Sequence, residues 1–315
     1  MRQGLVTIGL TTLDVVARPI DALPEGESTS LVEGIALAPA GTAGGAAYVA
    51  ARLGLKVTLI SAVGDDLAGR MARLAFDEAG VDTSLLETMA GVPTSTTVLA
   101  VDSQGRRPNF HAVGAGGSAG VGEAAISAAR QARFFHYAGV GGRNLDKGPG
   151  ADLVRQAKAA GAIVTCDLIS PRRSAMEEMK SILPNLDYFM PSAAEASFLT
   201  GLGDLDAAAD VFLGLGARNV IIKNGRRGSL LRLDGARSTM PAFAITPVDT
   251  TSCGDSYCAG FIAALDHGWA TVEAARFATA TAALVAQGLA TLGKLESFEA
   301  TEAAMNQMTP AQEPA

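Results

Sequence analysis

The chain has 315 residues, 48% of them hydrophobic, and a formal net charge of −7. This length and apolar content exclude a disordered chain and leave room for one large core, with or without a smaller attachment. The acidic balance, with no run of Lys or Arg, argues against a nucleic-acid surface, because neutralising phosphates takes clustered bases.

Cys166, Cys253 and Cys258 show neither metal-ligand spacing nor an even-numbered framework, so a reduced, cytoplasmic setting is expected. His111, His136 and His267 are far apart in sequence and read as packing or surface residues. Apolar stretches are broken by Gly or charge before the ~18 residues a membrane span needs. The segment from Met1 to Leu10 lacks the long apolar region of a secretion signal and reads as a first strand.

In chain order, short β-rich apolar runs recur at Leu5 to Leu10, Val57 to Val63, Phe134 to Tyr137, Ile163 to Asp167, Tyr188 to Met190 and Asn219 to Lys223. Between them, Ala46 to Leu53, Leu67 to Ala79, Gly122 to Gln131, Gly150 to Ala160 and Leu205 to Leu215 have helical length and period, and a further helix is predicted from about Ser256 to Leu265. Such alternation builds an α/β fold with a mostly parallel sheet covered on both faces. Its binding crevice is expected beyond the carboxyl ends of the strands. Two stretches, about 11–40 and 93–117, break the alternation and read as hairpin strands, the second with a turn at Ser103-Gln104-Gly105. The expected organisation is one domain over residues 1–308, then a disordered tail from Thr309 to Ala315.

The stretch Val248-Asp249-Thr250-Thr251-Ser252-Cys253-Gly254-Asp255 places a compact loop and a carboxylate at the mouth of an apolar helix. Helix starts leave backbone N–H groups unpaired and carry partial positive charge, so small residues at 252 to 254 let those donors close on a phosphate. Taken alone, Asp255 reads more simply as the N-cap of the helix that follows.

Other landmarks accompany it. Gly41-Thr42-Ala43-Gly44-Gly45 opens an Ala-rich segment ending at Leu53-Gly54; Val63-Gly64-Asp65-Asp66 and Gly80-Val81-Asp82 follow; then come Pro191-Ser192-Ala193-Ala194-Glu195 and Gly225-Arg226-Arg227-Gly228. In this order the series resembles the PfkB (ribokinase-like) carbohydrate kinases, whose second motif usually reads Asp-Thr-Thr-Gly-Ala-Gly-Asp, and the resemblance spans nearly the whole chain. It implies a three-layer α/β/α fold with a small β-sheet lid formed by about 11–40 and 93–117. It also implies an ATP-dependent phosphotransferase acting on a hydroxyl, with magnesium and optionally potassium, and a homodimer made through the lid.

The resemblance further implies roles for single residues. Asp255 is the base for the attacking hydroxyl, and amides around Ser252, Cys253 and Gly254 are the anion hole. Asp14, with Thr12, Gly41, Thr42 and Gly45, is the sugar site, and Arg143 and Asn144 are further candidates for a polar or anionic substrate. Ser192, Lys223, Gly225 and Gly228 flank the ATP phosphates, and Thr279 and Gly288 lie beside the adenine. Glu195 organises magnesium, mostly through waters, and Asp249 and Thr251 help hold a monovalent cation. Two departures stand out: Ser192 and Gly45 occupy positions where the family usually carries Asn. For each candidate a plainer reading stays open: Asp14, Asp249 and Thr251 as turn caps, Glu195 as a surface helix residue, Cys253 as a buried filler, Arg143 and Asn144 as solvated loop residues.

The expected acceptor is a hydroxyl, most naturally a primary one, of a small sugar. A nucleoside kinase of the same fold is the alternative, disfavoured by an aromatic content of 5%. Outside that class, a sugar or nucleotide sensor with little turnover is possible in principle, and Gly116-Gly117-Ser118-Ala119-Gly120 satisfies the hydrolase pattern G-x-S-x-G, with Ser118 as nucleophile. The segment before it is no convincing central strand, and no later Asp and His offer themselves as partners. Gly114-x-Gly116-x-x-Ala119 comes too late for a dinucleotide loop, and Gly288 to Lys294 spells most of a P-loop but continues with Leu295. In a chain with 36 glycines both are chance matches.

Overall fold

Side chains along β1 (Leu5–Gly9) alternate between two cores. Leu5 belongs to a cluster with Phe134, Phe261 and Phe277, whereas Val6 and Ile8 belong to one with Phe135, Val154 and Phe189. A strand covered on both faces has to be apolar almost throughout. The computed structural model, which describes residues 4–169, 172 and 174–312, repeats that arrangement across a nine-stranded sheet.

Strands β2 (Thr12–Arg18) and β3 (Gly34–Ala40) leave that sheet at once; α1 (Thr42–Arg52) returns to β4 (Val57–Gly64), and α2 (Leu67–Glu78) leads to β5 (Leu86–Met89). Strands β6 (Thr96–Ala100) and β7 (Asn109–Ala112) leave again. Then α3 (Glu123–Gln131), β8 (Phe134–Ala138), α4 (Pro149–Ala159), β9 (Ile163–Cys166), α5 (Ala175–Ile182), β10 (Tyr188–Phe189), α6 (Ala193–Thr200), α7 (Leu205–Gly214) and β11 (Val220–Lys223) follow. A hairpin of β12 (Ser229–Leu233) and β13 (Ala236–Met240) closes one edge, and α8 (Cys253–Asp266), α9 (Thr271–Val285) and α10 (Phe298–Gln307) end the described chain. The order across the sheet is β13-β12-β11-β10-β9-β8-β1-β4-β5, with antiparallel pairing only at β11–β12 and β12–β13 among the described strands. Residues of α1, α2, α8, α9 and α10 fill one core and residues of α3 to α7 the other. This is the three-layer α/β/α architecture expected.

The second sheet has the order β3-β2-β6-β7 and carries the expected lid strands. Its central pair, β2 with β6, is parallel, so the lid is two antiparallel pairs joined side by side. Period-2 alternation gives it two unlike faces. Asp14, Thr97 and His111 share one row, and Leu37, Val15, Val98 and Phe110 the next, on the opposite face.

Several elements differ from expectation, and α1 begins at Thr42, four residues before the expected Ala46. Helix α8 starts at Cys253, not Ser256, because Ser252 takes a left-handed conformation (φ 54°) and turns the chain into the helix three residues early. The hairpin β12–β13 was not anticipated, since β13 is exposed and not apolar; its Asp234-Gly235 turn, both residues at positive φ, is the local sign of it. Thr309 to Ala311 are not frayed: the Ala244 amide donates to the Thr309 carbonyl and the Ala311 amide to the Ala242 carbonyl. Residues 313–315 of the expected tail lie outside the described ones.

Candidate active site

The carboxyl ends of the parallel strands open into a cleft of about 1580 Å³ under the lid. Gly9 and Leu10 at the end of β1, Ala138 to Gly142 at the end of β8, Asp167 after β9 and Lys223 at the end of β11 form its floor. Thr12, Asp14, Thr97, Asn109 and His111 face it from the lid sheet, and Thr251 to Asp255 enter from the side.

The loop before α8 is built by Ser252. Its positive φ, uncommon for a residue with a side chain, lets the Ser256 amide reach the Ser252 carbonyl at 2.8 Å and leaves the amides of Gly254 and Asp255 without a backbone acceptor. Asp255 therefore lies in the first turn of the helix, and the N-cap position belongs to Ser252. The Ser252 hydroxyl hydrogen-bonds the Asp255 carboxylate. Burial, and then the charge of Asp167, push Asp255 up to about 8, against the opposing pull of Lys223 and Ser252. Burial also pushes the Cys253 thiol up to about 12, so Cys253 is a neutral wall of the loop.

Across the cleft, Asp14 is buried in β2 with its carboxylate held by the Thr12 hydroxyl at 2.7 Å and by Thr97. Burial raises its pKa, while these hydroxyls and the charges of His111 and Arg107 act the other way. The lid also reaches the phosphate-side loop directly: Arg107 Nε donates to Thr250 Oγ1 at 3.0 Å. Thr42 and Gly41 line the same region, the Thr42 hydroxyl donating to the Ala138 carbonyl at 2.9 Å.

On the other side Ser192 caps α6 and Glu195 closes a capping box, its Oε2 accepting from the Ser192 amide at 2.8 Å and the Ser192 hydroxyl at 2.7 Å. Both line the cleft with Gly225, Gly228 and Thr279. Burial, then the charge of Asp167, raise the pKa of Glu195. Among the described residues no cluster of three His, Cys, Asp or Glu could by itself hold a metal ion. A single carboxylate with Oε1 unused suits magnesium, which keeps its waters and leans on phosphates. Asp249 is fully buried beneath the loop; its oxygens accept from the Thr251 amide (2.8 Å), the Thr251 hydroxyl (2.6 Å) and the Ala290 amide (2.9 Å). No Lys or Arg pairs with it among the described ion pairs, which suits a carboxylate whose counter-charge is a cation held by loop oxygens.

Several predicted positions do not reach the cleft. Gly45 was expected to admit substrate, but a Cβ there would stand 3.1 Å from Asp255 Oδ2 and 3.4 Å from Ser252 Oγ: the glycine lets α1 pack against the carboxylate, and Asp255 occupies the space a side chain would need. Gly288 packs against Gly293 in the loop after α9. Arg143 and Asn144 are exposed, and the Asn144 amide is spent on the Ser118 carbonyl at 2.9 Å, because the loop after β8 folds back on residues 117–118. Asp146 and Lys147 line the cleft in their place. Ser118 follows a short 3₁₀ turn, not a strand, and its hydroxyl has no hydrogen-bonding partner among the described contacts, so the hydrolase arrangement is not formed.

Sequence reasoning missed Asp167, Arg107 and His111. His111 was grouped with the packing histidines, a reading that fits His136, fully buried and bonded to Thr165 Oγ1 at 2.8 Å, and His267, stacked on Phe298. His111 instead lines the cleft, its Nδ1 3.1 Å from Thr97 Oγ1. The sign available for Asp167 was a carboxylate closing an apolar strand at the end where such folds bind ligands.

A parallel sheet between two helical layers, with a second sheet roofing a cleft at its carboxyl ends, defines a lidded α/β protein in class. The family model for pfkB family carbohydrate kinase matches residues 2–296, and the chain belongs to that family. It is 28% identical to a ribokinase of Haemophilus influenzae over 291 residues, covering 90% of this chain and 92% of the relative. It is 26% identical to a nucleoside kinase of Methanothermobacter thermautotrophicus over 302 residues, covering 90% of each. The solved Arabidopsis thaliana ribokinase complexed with ribose and ATP superposes with a TM-score of 0.80 at 22% identity, over 97% of this chain and 99% of that one.

Proposed function

We propose that this family member transfers the γ-phosphoryl group of ATP to a hydroxyl, preferably primary, of a small sugar. The carrying observation is that Asp255, two free helix amides and the Asp14 carboxylate of the lid share one cleft. Asp255 takes the proton of the acceptor hydroxyl as its oxygen bonds to the γ-phosphorus, and the bond to the departing ADP oxygen breaks. The amides of Gly254 and Asp255, with Ser252 and Cys253 shaping the loop, hold the charge of the transferring group. Asp14 and Thr12 orient the sugar, with Gly41 and Thr42 below it; Ser192, Lys223, Gly225, Gly228 and Thr279 border the nucleotide.

Glu195 would hold a hydrated magnesium whose charge balances the ATP phosphates. Asp249 and Thr251 would hold potassium within the loop. Among the described phenylalanines and tyrosines, Phe243 and Tyr257 line the cleft and Phe110 of the lid points away from it, so the lid offers no phenylalanine or tyrosine for a base to stack on. This favours a sugar over a nucleoside. The cysteines are free, and no described helix is long and apolar enough to cross a membrane; a cytoplasmic enzyme is the reading these support. A coupled ADP-release assay over a panel of sugars and nucleosides tests the assignment: one sugar should give turnover well above the rest, and preference for a nucleoside would replace the substrate class.

The pH dependence follows from Asp255. As a base it must be ionised, and its pKa is pushed up to about 8, so kcat/KM should rise with pH through a midpoint near 8 and fall about tenfold per unit below it. A profile flat from pH 6 to 9 would exclude Asp255 as the titrating base.

The outer lid face suits a second copy of this chain. Ile35, Leu37, Val98 and Phe110 are 61%, 49%, 43% and 64% exposed on one side of the four strands, and an apolar sheet face of this kind is rarely left wet. A dimer mass in light scattering is expected, with Phe110→Asp shifting it to monomer; a monomeric wild type would rule out lid pairing.

A further inference from the structure

Three side chains meet beneath the loop that carries Asp255. Lys223 Nζ donates to Asp167 Oδ2 at 2.5 Å, and the Cys258 thiol donates to the same oxygen at 3.4 Å. The other oxygen, Oδ1, accepts from the Leu168 amide at 2.8 Å. Both carboxylate oxygens are thus engaged, and the side chains of Asp167 and Lys223 are only 3% and 11% exposed. Taking two charges out of water is expensive, and an apolar pair of similar size would usually stabilise the fold as well or better. A buried ion pair in the wall of a cleft therefore asks for a reason other than stability. Its placement supplies one: a Cβ on Gly254 would stand 3.4 Å from Lys223 Nζ, so the ammonium lies against the residue whose amide opens the anion loop.

We propose that Asp167 is a positioning residue for phosphoryl transfer, and that the charge it positions is the Lys223 ammonium, pinned beside Gly254 where it faces the migrating phosphoryl group from the floor of the cleft. This rests on the kinase reading above and adds to it a residue that no part of the motif series marks. Lysine acts here as a compact point charge in a site half shielded from water, where a fixed charge counts for more than in solution. It exchanges no proton: the hydroxyl proton goes to Asp255, and Lys223 stays charged. Burial pulls the Lys223 pKa down, but Asp167, with Cys258 and Glu195, overrides this and holds it above the usual lysine range.

The pair also biases the base. Asp255 is faced by Asp167 after β9, by Lys223 at the end of β11, by Asp14 from the lid, and by Ser252, Cys253 and Cys258 on or next to its own helix. Asp167 and Lys223 act on it with opposite sign.

The test uses the full chain with the best substrate of the panel. Lys223→Met should lower kcat about 100-fold with sugar KM changed less than about threefold, and Lys223→Arg should recover part of the loss. Asp167→Asn should lower kcat about tenfold, and Asp167→Asn/Lys223→Met should resemble Lys223→Met alone, since the carboxylate acts through the lysine. The acid limb of kcat/KM should move to lower pH in Asp167→Asn and to higher pH in Lys223→Met. Thermal midpoints monitor folding, and the double variant, which leaves no unpaired charge, keeps the test valid if Asp167→Asn folds poorly. Wild-type kcat in Lys223→Met, a sugar KM that carries the whole effect, or acid limbs moving the same way would each overturn the proposal. A wild type that phosphorylates nothing in the panel would instead overturn the kinase reading, and this proposal with it.

Discussion

Asp255→Asn should lower kcat by about 10³-fold while the affinity for ATP, measured without turnover, stays within about threefold. The amide keeps the shape and the hydrogen bond from Ser252 but cannot accept the acceptor proton, so only the transition state loses. Stability should move the other way. The pKa of this carboxyl is about 8 in the folded chain against the usual 3.8, so it ionises in the unfolded state first. Ionisation thus opposes folding increasingly from about pH 4 to about pH 8, and that opposition is full above pH 8. At pH 8.5 Asp255→Asn should therefore melt no lower than wild type. Lost turnover together with a clearly lower melting point would mark Asp255 as structural.

The second large effect is expected at Asp14. Asp14→Asn should raise the sugar KM about 100-fold and leave the KM for ATP nearly unchanged, because a charged acceptor of sugar hydroxyls becomes a neutral one. Its position decides this. The carboxylate is buried on the cleft face of β2, already ordered by Thr12 and Thr97, and so is pre-organised for hydroxyl donors. Isothermal titration with the sugar alone would separate binding from turnover. Unchanged sugar affinity would place the acceptor elsewhere in the cleft, with His111 and Asn109 the next residues to examine.

Much of the scaffold could be read in advance because its pattern is local. The strands ending at Val63, Tyr137 and Lys223 and the helices between them announce themselves by apolar period alone, and the structure moves most of their ends by a residue or two. The loop from Asp249 to Asp255 was legible for the same reason: small residues before an apolar helix are a property of consecutive positions. Gly45 was misread because its role depends on a partner 210 residues away, the Asp255 carboxylate that α8 brings against α1. Arg107 and His111 carried no local mark, and Asp167 only its place at the end of an apolar strand, since the role of each depends on what lies opposite.

The sequence by itself determined the α/β alternation, the two interruptions that become the lid, the family and the loop with its carboxylate, all set by spacing along the chain. Only the tertiary structure decided that β2 and β6 pair in parallel to put Asp14, Thr97 and His111 in one row, and that Asp167 and Lys223 meet under Gly254. The physical reason is that charge interactions fall off with distance in space, and the folded sheet alone brings the ends of β9 and β11 to within one hydrogen bond of each other.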